Sequence, residues 1–330
     1  MAAIARPITW EEEEAALPTE SLSQWQLAWR RLLRHRLAML GAFVLIFFVL
    51  ASLLASVDIP SIKILSLETP PIHFGLAPYE FDAVDMSVAF SGPTKEHIFG
   101  TDVLGRDTFT RLLYAGRISL SVAGITTILS VIIGVIIGAV AGYIGGWVDT
   151  ILMRFTDIML TLPVLPLLMI ASKSLREMVA LQKMFGQLLS VVIIIAVITI
   201  FGWMTVARLV YGSVLSLRER EFMEATRALG ASGIRLIFSH LVPNSLAPII
   251  VSLTLEFGAV VVYEATLSFL GFGIMPPTPS WGNMLTDVQR FILRNPWLAF
   301  YPGMCIFLTV LAINFLGDGL RDALDPRLKI

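Results

Sequence analysis

Long apolar runs alternate with short polar interruptions along the 330-residue chain. The pattern shows neither the two-residue alternation of half-buried strands nor the one-sided striping of soluble helices. Six runs, at about 37–57, 118–142, 148–171, 188–211, 246–271 and 297–317, reach the roughly 20 residues that a bilayer crossing takes. Hydrocarbon offers an open backbone no hydrogen-bond partner, so each run is expected to be a helix. The predicted fold is therefore an all-α polytopic membrane protein with six transmembrane helices. The first run is not read as a cleaved signal peptide: the region before it is too long and carries the acidic stretch Glu11–Glu14.

The polar interruptions divide the chain. Residues 1–36 form an N-terminal tail, disordered at its start, where Pro7, Pro18 and the glutamates fall. Ser23–Arg30 reads as an amphipathic helix at the membrane surface, with Trp25 and Trp29 on one face, where aromatic rings anchor at headgroup depth. The segment 58–117 is the largest polar piece. Pro60, Pro70, Pro71, Pro78 and Pro93 make its first part an irregular loop. Its second part leads to Asp107, suited to start a short helix lying on the membrane before the second span. Residues 118–317 form a five-helix core interrupted by a charged loop at 212–245, and 318–330 a C-terminal tail. Neither solenoid repeats nor a pair of matched, glycine-interrupted spans is visible.

Composition sharpens this picture. Apolar residues make up 56% of the chain and charged residues 15%, against roughly a quarter charged in a soluble domain. The net charge of -1 gives no bias toward nucleic acid. Cys305 is the single cysteine; alone in an apolar run it reads as a small buried hydrophobe, and it excludes an internal disulfide or paired-cysteine metal site. The histidines show no ligand spacing, so neither metal nor cofactor is expected. Arg30, Arg31, Arg34 and Arg36 before the first span place the N-terminus in the cytoplasm. Six spans then put 212–245 and the C-terminal tail there too, with Arg218, Arg220, Arg227, Arg235, Arg321, Arg327 and Lys329. Lys173, Arg176 and Lys183 fall on the outer side and weaken that bias.

The loop 212–245 carries the most information. Phe222, Ala225, Thr226 and Leu229 recur at helical spacing, which predicts one amphipathic helix over about 216–229. Gly230 supplies the left-handed residue that ends it. Ser232 caps a second helix with Ile234, Ile237, Phe238 and Leu241 on one face, and Pro243 stops that helix before the fifth span. The result is a helix-turn-helix elbow. Glu224 lies within reach of Arg220 and Arg227, so its charge is either paired internally or presented to a partner.

Glu224-Ala225-Thr226-Arg227-Ala228-Leu229-Gly230, with Ser232 and His240-Leu241-Val242-Pro243-Asn244, resembles the EAA loop of ATP-binding-cassette (ABC) importer permeases. Thr226 replaces the usual second alanine, and His240 and Val242 also depart from the general pattern. Three further blocks resemble the C-type permease subunit of dipeptide and oligopeptide importers: Phe99–Asp107 with Arg111–Tyr114, Ala265–Gly273 with Pro276–Met284, and Leu316–Arg327. The resemblance runs from about residue 20 to 330 and is weakest over 58–95. It implies the type I importer (MetI-like) fold and a channel-forming subunit that is not itself an enzyme. The implied partners are a homologous second permease, two ATPase subunits and an extracytoplasmic substrate-binding protein. It also implies that Glu224, Ala225, Thr226, Arg227, Gly230, Ala231, Ser232 and Pro243 form the ATPase-coupling contacts. The chain carries no GxxxxGK[ST] loop, so nucleotide chemistry would lie with a partner.

Ionisable residues inside spans are functional candidates by default. Arg154 and Asp157, three apart beside Asp149, are expected to form a structural ion pair. Glu256 and Glu264 in the fifth span either line the passage or hydrogen-bond between helices. Pro279, Ser280, Trp281 and Asn283 lie in a rigid, exposed, aromatic loop, which the resemblance places where the binding protein docks or, alternatively, as a structural lid. Importers of nickel or glutathione share these blocks and are the alternative cargo reading. An ion-coupled secondary transporter using Glu256 is the alternative of another class. HExxH and GxSxG are absent, which leaves an enzyme without support.

Overall fold

The computed structural model describes residues 23–59, 63–64, 67–68, 72–286 and 288–324. The acidic N-terminal stretch, Pro7, Pro18, Pro60, Pro70, Pro71 and the basic residues Arg327 and Lys329 lie outside the described residues.

Helix α1, Gln24–Arg34, begins with a capping box: the Ser23 N–H donates to the Gln26 side chain at 2.9 Å and the Gln26 N–H to the Ser23 hydroxyl at 3.3 Å. Ala28 and Leu32 are buried while Trp25 and Trp29 stand exposed, as the expected amphipathic pattern requires. His35 breaks the chain and its Nδ1 accepts the Ala38 N–H at 3.1 Å, capping α2, Arg36–Leu53. The next segment departs from the expected irregular loop only up to Phe74, beyond which turns and bends run to Gly100. Strands β1 (Val57–Ile59) and β4 (Ile72–Phe74) pair antiparallel, as do β2 (Lys63–Ile64) and β3 (Leu67–Glu68). Strands of two or three residues are too short for any periodicity to betray them.

Asp107 caps α3, Thr108–Ile144, by accepting the Thr110 N–H at 2.7 Å. The short surface helix expected before the second span is instead the first turns of α3. No proline separates the two, and 37 helical residues extend about 55 Å, well beyond a hydrocarbon core of about 30 Å. The third expected span is a bent pair, α4 (Gly146–Thr161) and α5 (Val164–Arg176), at 93° to each other. Pro163 explains the corner: it disfavours helix at Leu162 and has no N–H to continue the ladder. α6 (Val179–Phe185) leads through a 3₁₀ turn into α7, Leu189–Arg218. Two short helices, α8 (Glu221–Ala228) and α9 (Gly233–Leu236), precede the turn α10, Val242–Asn244. The long α11 (Leu246–Phe269), the short α12 (Val288–Phe291) and α13 (Trp297–Leu324) complete the chain. Among the described residues five helical runs are long and apolar enough to cross a membrane, and the bent pair counted as one makes six.

Where α3 crosses α7, Gly134, Gly138 and Gly142 form one stripe. A Cβ on any of them would run into Trp203, Val206, Ala207, Val210, Tyr211 or Val214. Lipid tails are as apolar as the side chains, so helices here associate through close packing, which small residues permit. A second close approach sets Gly41 of α2 against the Ala312 carbonyl of α13. The central core joins Val122 and Ala123 of α3, Ile194 and Val197 of α7, Leu168 of α5 and Val260 and Leu267 of α11.

Candidate functional site

The elbow is rooted at the inner ends of α3 and α7. Arg218 closes α7 by donating to the Gly142 carbonyl at 3.1 Å. The single helix expected over 216–229 is broken at Glu219–Arg220, after which α8 turns so that Met223 is fully buried. Met223 packs with Val214, Leu236, Ile237 and Leu241. The expected apolar face is thus not the buried one: Phe222 is exposed, and Leu229 is 89% exposed. The side chain that holds α8 lies between the positions that the spacing argument chose. The Arg227 guanidinium stacks over Tyr143 at 5.7 Å, and Gly233 lies against the same ring.

Gly230 ends α8 with φ +81°; its N–H donates to the Arg227 carbonyl at 2.9 Å and the Ala231 N–H to Thr226 at 3.3 Å. This paired bonding satisfies carbonyls the helix end would leave open. Ser232 occupies the cap position of α9 but contributes no side-chain bond. Leu236, Ile237 and Leu241 are buried, whereas Ile234 (74%) and Phe238 (53%) face outward. Pro243 does not stop the helix. Ile237–Leu241 form a π turn, and the chain stays helical through Pro243. Pro243 follows the π turn closely, at the start of α10. The Ser245 hydroxyl then bonds the Leu241 carbonyl at 2.9 Å, and Ser213 of α7 donates to it at 3.1 Å. Among the described residues Glu224 has no ion-pair partner. Phe222, Glu224, Leu229, Ile234 and Phe238 together make an exposed, mainly apolar edge on a rigid root.

The intramembrane charges resolve differently from expectation. Arg154 is exposed on α4 and does not hold Asp157. Asp157 pairs with Arg208 of α7, and Asp149 accepts the Tyr211 hydroxyl proton at 2.9 Å. Spacing along one helix could not reveal partners on another. Glu256 is partly buried at mid-span, where a Cβ on Gly202 would lie 2.8 Å from both its Oε1 and the Ser130 hydroxyl. Glu264 is fully buried. It accepts the Ser119 hydroxyl proton at 2.9 Å and that of Ser268 at 2.7 Å.

That carboxylate organises the far-end loop. Pro279, Ser280, Trp281 and Asn283 are all buried, which corrects the expectation of an exposed aromatic loop. The Trp281 N–H donates to Ser119 at 3.2 Å and its indole N–H to the Leu112 carbonyl at 3.1 Å. The Ile274 N–H donates to Ser268 at 2.9 Å. Asn283 accepts from Ser280 N–H at 3.0 Å and donates to the Thr278 carbonyl at 2.7 Å and that of Ile274 at 3.2 Å. Polar groups deep in protein need such partners, and here they clamp the loop onto α3 and α11. Glu264 and Ser268 stand one helical turn apart in the sequence, but nothing local marks Ser119.

Helices of spanning length around a glycine-packed core, with an amphipathic elbow at one end and a clamped loop at the other, define a multi-pass membrane protein. Residues 134–330 match the model of the inner membrane component of binding-protein-dependent transport systems. Residues 23–65 match the N-terminal transmembrane domain of oligopeptide transport permease C. The chain is 39% identical to the dipeptide transport system permease protein of Alkalihalophilus pseudofirmus, with 98% of each chain covered. It is 37% identical to the glutathione transport system permease protein of Shigella flexneri serotype 5b, covering 94% and 93%, and 35% identical to that of Escherichia coli O6:K15:H31 over the same shares. The chain belongs to the family of inner membrane components of binding-protein-dependent transport systems. It is a multi-pass permease subunit of an ABC importer, not an enzyme, and permeases of this family work with ATPase and substrate-binding partners. This sets aside the ion-coupled alternative.

Proposed function

We propose that the chain forms one half of the translocation pathway of a peptide importer. A homologous second permease completes the pathway and two ATPase subunits engage the elbows. Both termini and the elbow face the cytoplasm. The observation that carries the coupling role is the exposed edge of Phe222, Leu229, Ile234 and Phe238, held on a root through Met223. Apolar side chains displayed in this way on a surface outside the spans mark a docking face. Nucleotide-driven closure of the ATPase pair moves the elbow, and α3 and α7, locked to it through Tyr143 and Arg218, carry that motion toward the far end. Glu224, Ala225, Thr226, Arg227, Gly230, Ala231, Ser232 and Pro243 are the coupling residues in this reading. Glu256 is the candidate for lining the passage.

Peptide cargo is supported by the dipeptide permease from Alkalihalophilus pseudofirmus, aligned over nearly the whole chain. A glutathione importer is the second reading, favoured by the glutathione permeases at 35–37% identity. Co-purification of the complex, followed by uptake and stimulated ATPase assays with Glu224→Ala and Gly230→Pro, tests the coupling role. Both variants are expected to insert yet lose stimulated hydrolysis; unchanged uptake in both refutes it. Competition between labelled dipeptide and glutathione in the same vesicles decides the cargo.

A further inference from the structure

Helix α1 packs on the protein along one side only. Ala28 and Leu32 lie against Leu316, Leu320 and Leu324 of α13. Away from that contact Trp25 (58%), Trp29 (63%) and Leu33 (49%) stand exposed. They recur every four residues and so make one stripe along the helix. Arg30 and Arg34, each one residue past a member of that stripe, form a second exposed row beside it. The helix carries no acidic residue, and Arg36 adds another exposed cation at the start of α2. Among the described residues Arg30, Arg34 and Arg36 have no ion-pair partner. Arg31, half-buried on the other flank, has contacts of its own.

What covers this face follows from where it is held. His35 alone separates α1 from α2, and α2 is long and apolar enough to cross a membrane. An 11-residue helix tied so closely to a span stays at the edge of the bilayer. Indole rings favour headgroup depth, and guanidiniums beside them reach the phosphates. A zwitterionic headgroup brings a cation with each phosphate, whereas an acidic phospholipid offers the arginine row a net negative charge. A soluble protein would first have to lift both tryptophans off the lipid.

We propose that α1 is a docking surface for acidic phospholipid. The phosphates meet Arg30 and Arg34, while Trp25, Trp29 and Leu33 lie among the headgroups and the first methylenes of the chains. Ala28 and Leu32 fix α1 to α13, and Gly41 sets α2 against the same helix, so the bound lipid braces all three. The surface goes beyond the coupling role and is independent of which side of the membrane α1 occupies.

The purified complex in detergent is titrated with phosphatidylglycerol and separately with phosphatidylcholine, and bound lipid is counted by native mass spectrometry. Lipid sites on partner subunits are common to every variant, so differences from wild type isolate α1. Wild type is expected to bind the acidic lipid at least tenfold more tightly. Each arginine near an anionic surface contributes roughly fivefold in affinity. Arg30→Gln combined with Arg34→Gln should therefore weaken phosphatidylglycerol binding at least tenfold and leave phosphatidylcholine unchanged. Trp25→Ala combined with Trp29→Ala should weaken both lipids alike. Phosphatidylglycerol should also raise the melting temperature of wild type more than that of the arginine variant. Should that variant fail to assemble, Arg34→Gln decides alone, by a loss of about fivefold. Equal binding of the two lipids by wild type would hand the face to a protein neighbour and overturn the proposal. Unchanged phosphatidylglycerol affinity in the arginine variant, or an equal loss of both lipids there, overturns it too.

Discussion

Truncating Trp281 should loosen the far-end loop, and the chain carries its own reporter of that event. The indole is 1% exposed and packs edge-on against Phe48 of α2 at 5.7 Å between ring centres. It also lies against Leu112, Ala115 and Leu120 of α3, and Gly116 leaves room for the ring. Removing a buried Trp to Ala removes about 3–5 kcal/mol from packing of this kind. Cys305 borders the same cluster and is the only cysteine. If its thiol reacts with a maleimide through local opening of this cluster, the labelling rate follows the population of the open form. A loss of 3–5 kcal/mol then raises that rate roughly a hundredfold to a few thousandfold, at tenfold per 1.4 kcal/mol. Trp281→Phe keeps most of the packing and loses the indole N–H bond to Leu112, worth about 1 kcal/mol, so it should raise labelling by roughly fivefold. The rate is read by mass spectrometry of the peptide containing Cys305 in detergent-purified complex. Labelling of Trp281→Ala within threefold of wild type would refute the idea that this indole holds the loop down.

Other substitutions probe other contacts. Gly230→Ala places a side chain at φ +81° and should destabilise the elbow by about 1–2 kcal/mol; stimulated ATPase should fall only in part, and an undiminished rate speaks against the elbow geometry. Gly138→Leu forces a side chain into the backbone of Ala207 and Tyr211 and should abolish assembly, read as loss of the complex on size-exclusion chromatography. Asp157→Arg and Arg208→Asp should each lower the melting temperature while the double exchange recovers part of it; strict additivity would show that the pair contributes nothing. Glu264→Gln keeps the shape but gives the carboxyl position a donor that competes with the Ser119 and Ser268 hydroxyls. It should open the loop and speed Cys305 labelling, whereas Glu256→Gln should leave that labelling unchanged.

Spans were legible in the sequence because lipid imposes one rule on every residue of a crossing, and the rule is local. The same holds for α1, whose capping pair lies within four residues, and for Gly230, where backbone sterics alone decide. Partners on other elements were not legible. Spacing pairs Asp157 with Arg154 because both lie on α4, while Arg208 is about fifty residues away along the chain and meets it only through packing. The loop around Trp281 looked exposed because its prolines and polar residues are those of surface turns; Glu264 and Ser119 bury it. In the elbow, an apolar spacing argument finds a stripe but cannot say which side of it meets the protein. Met223 meets it, and the stripe remains outside.

One further consequence concerns the unbroken length of α3. Its first turns receive the Trp281 indole at Leu112, and its last turn receives Arg218 at Gly142 and Arg227 at Tyr143. A stiff rod of about 55 Å needs a tilt of only about 5° to displace one tip by about 5 Å relative to the other. Movement at one end of α3 is therefore felt at the other at once, with no relay of intermediate side chains needed between them.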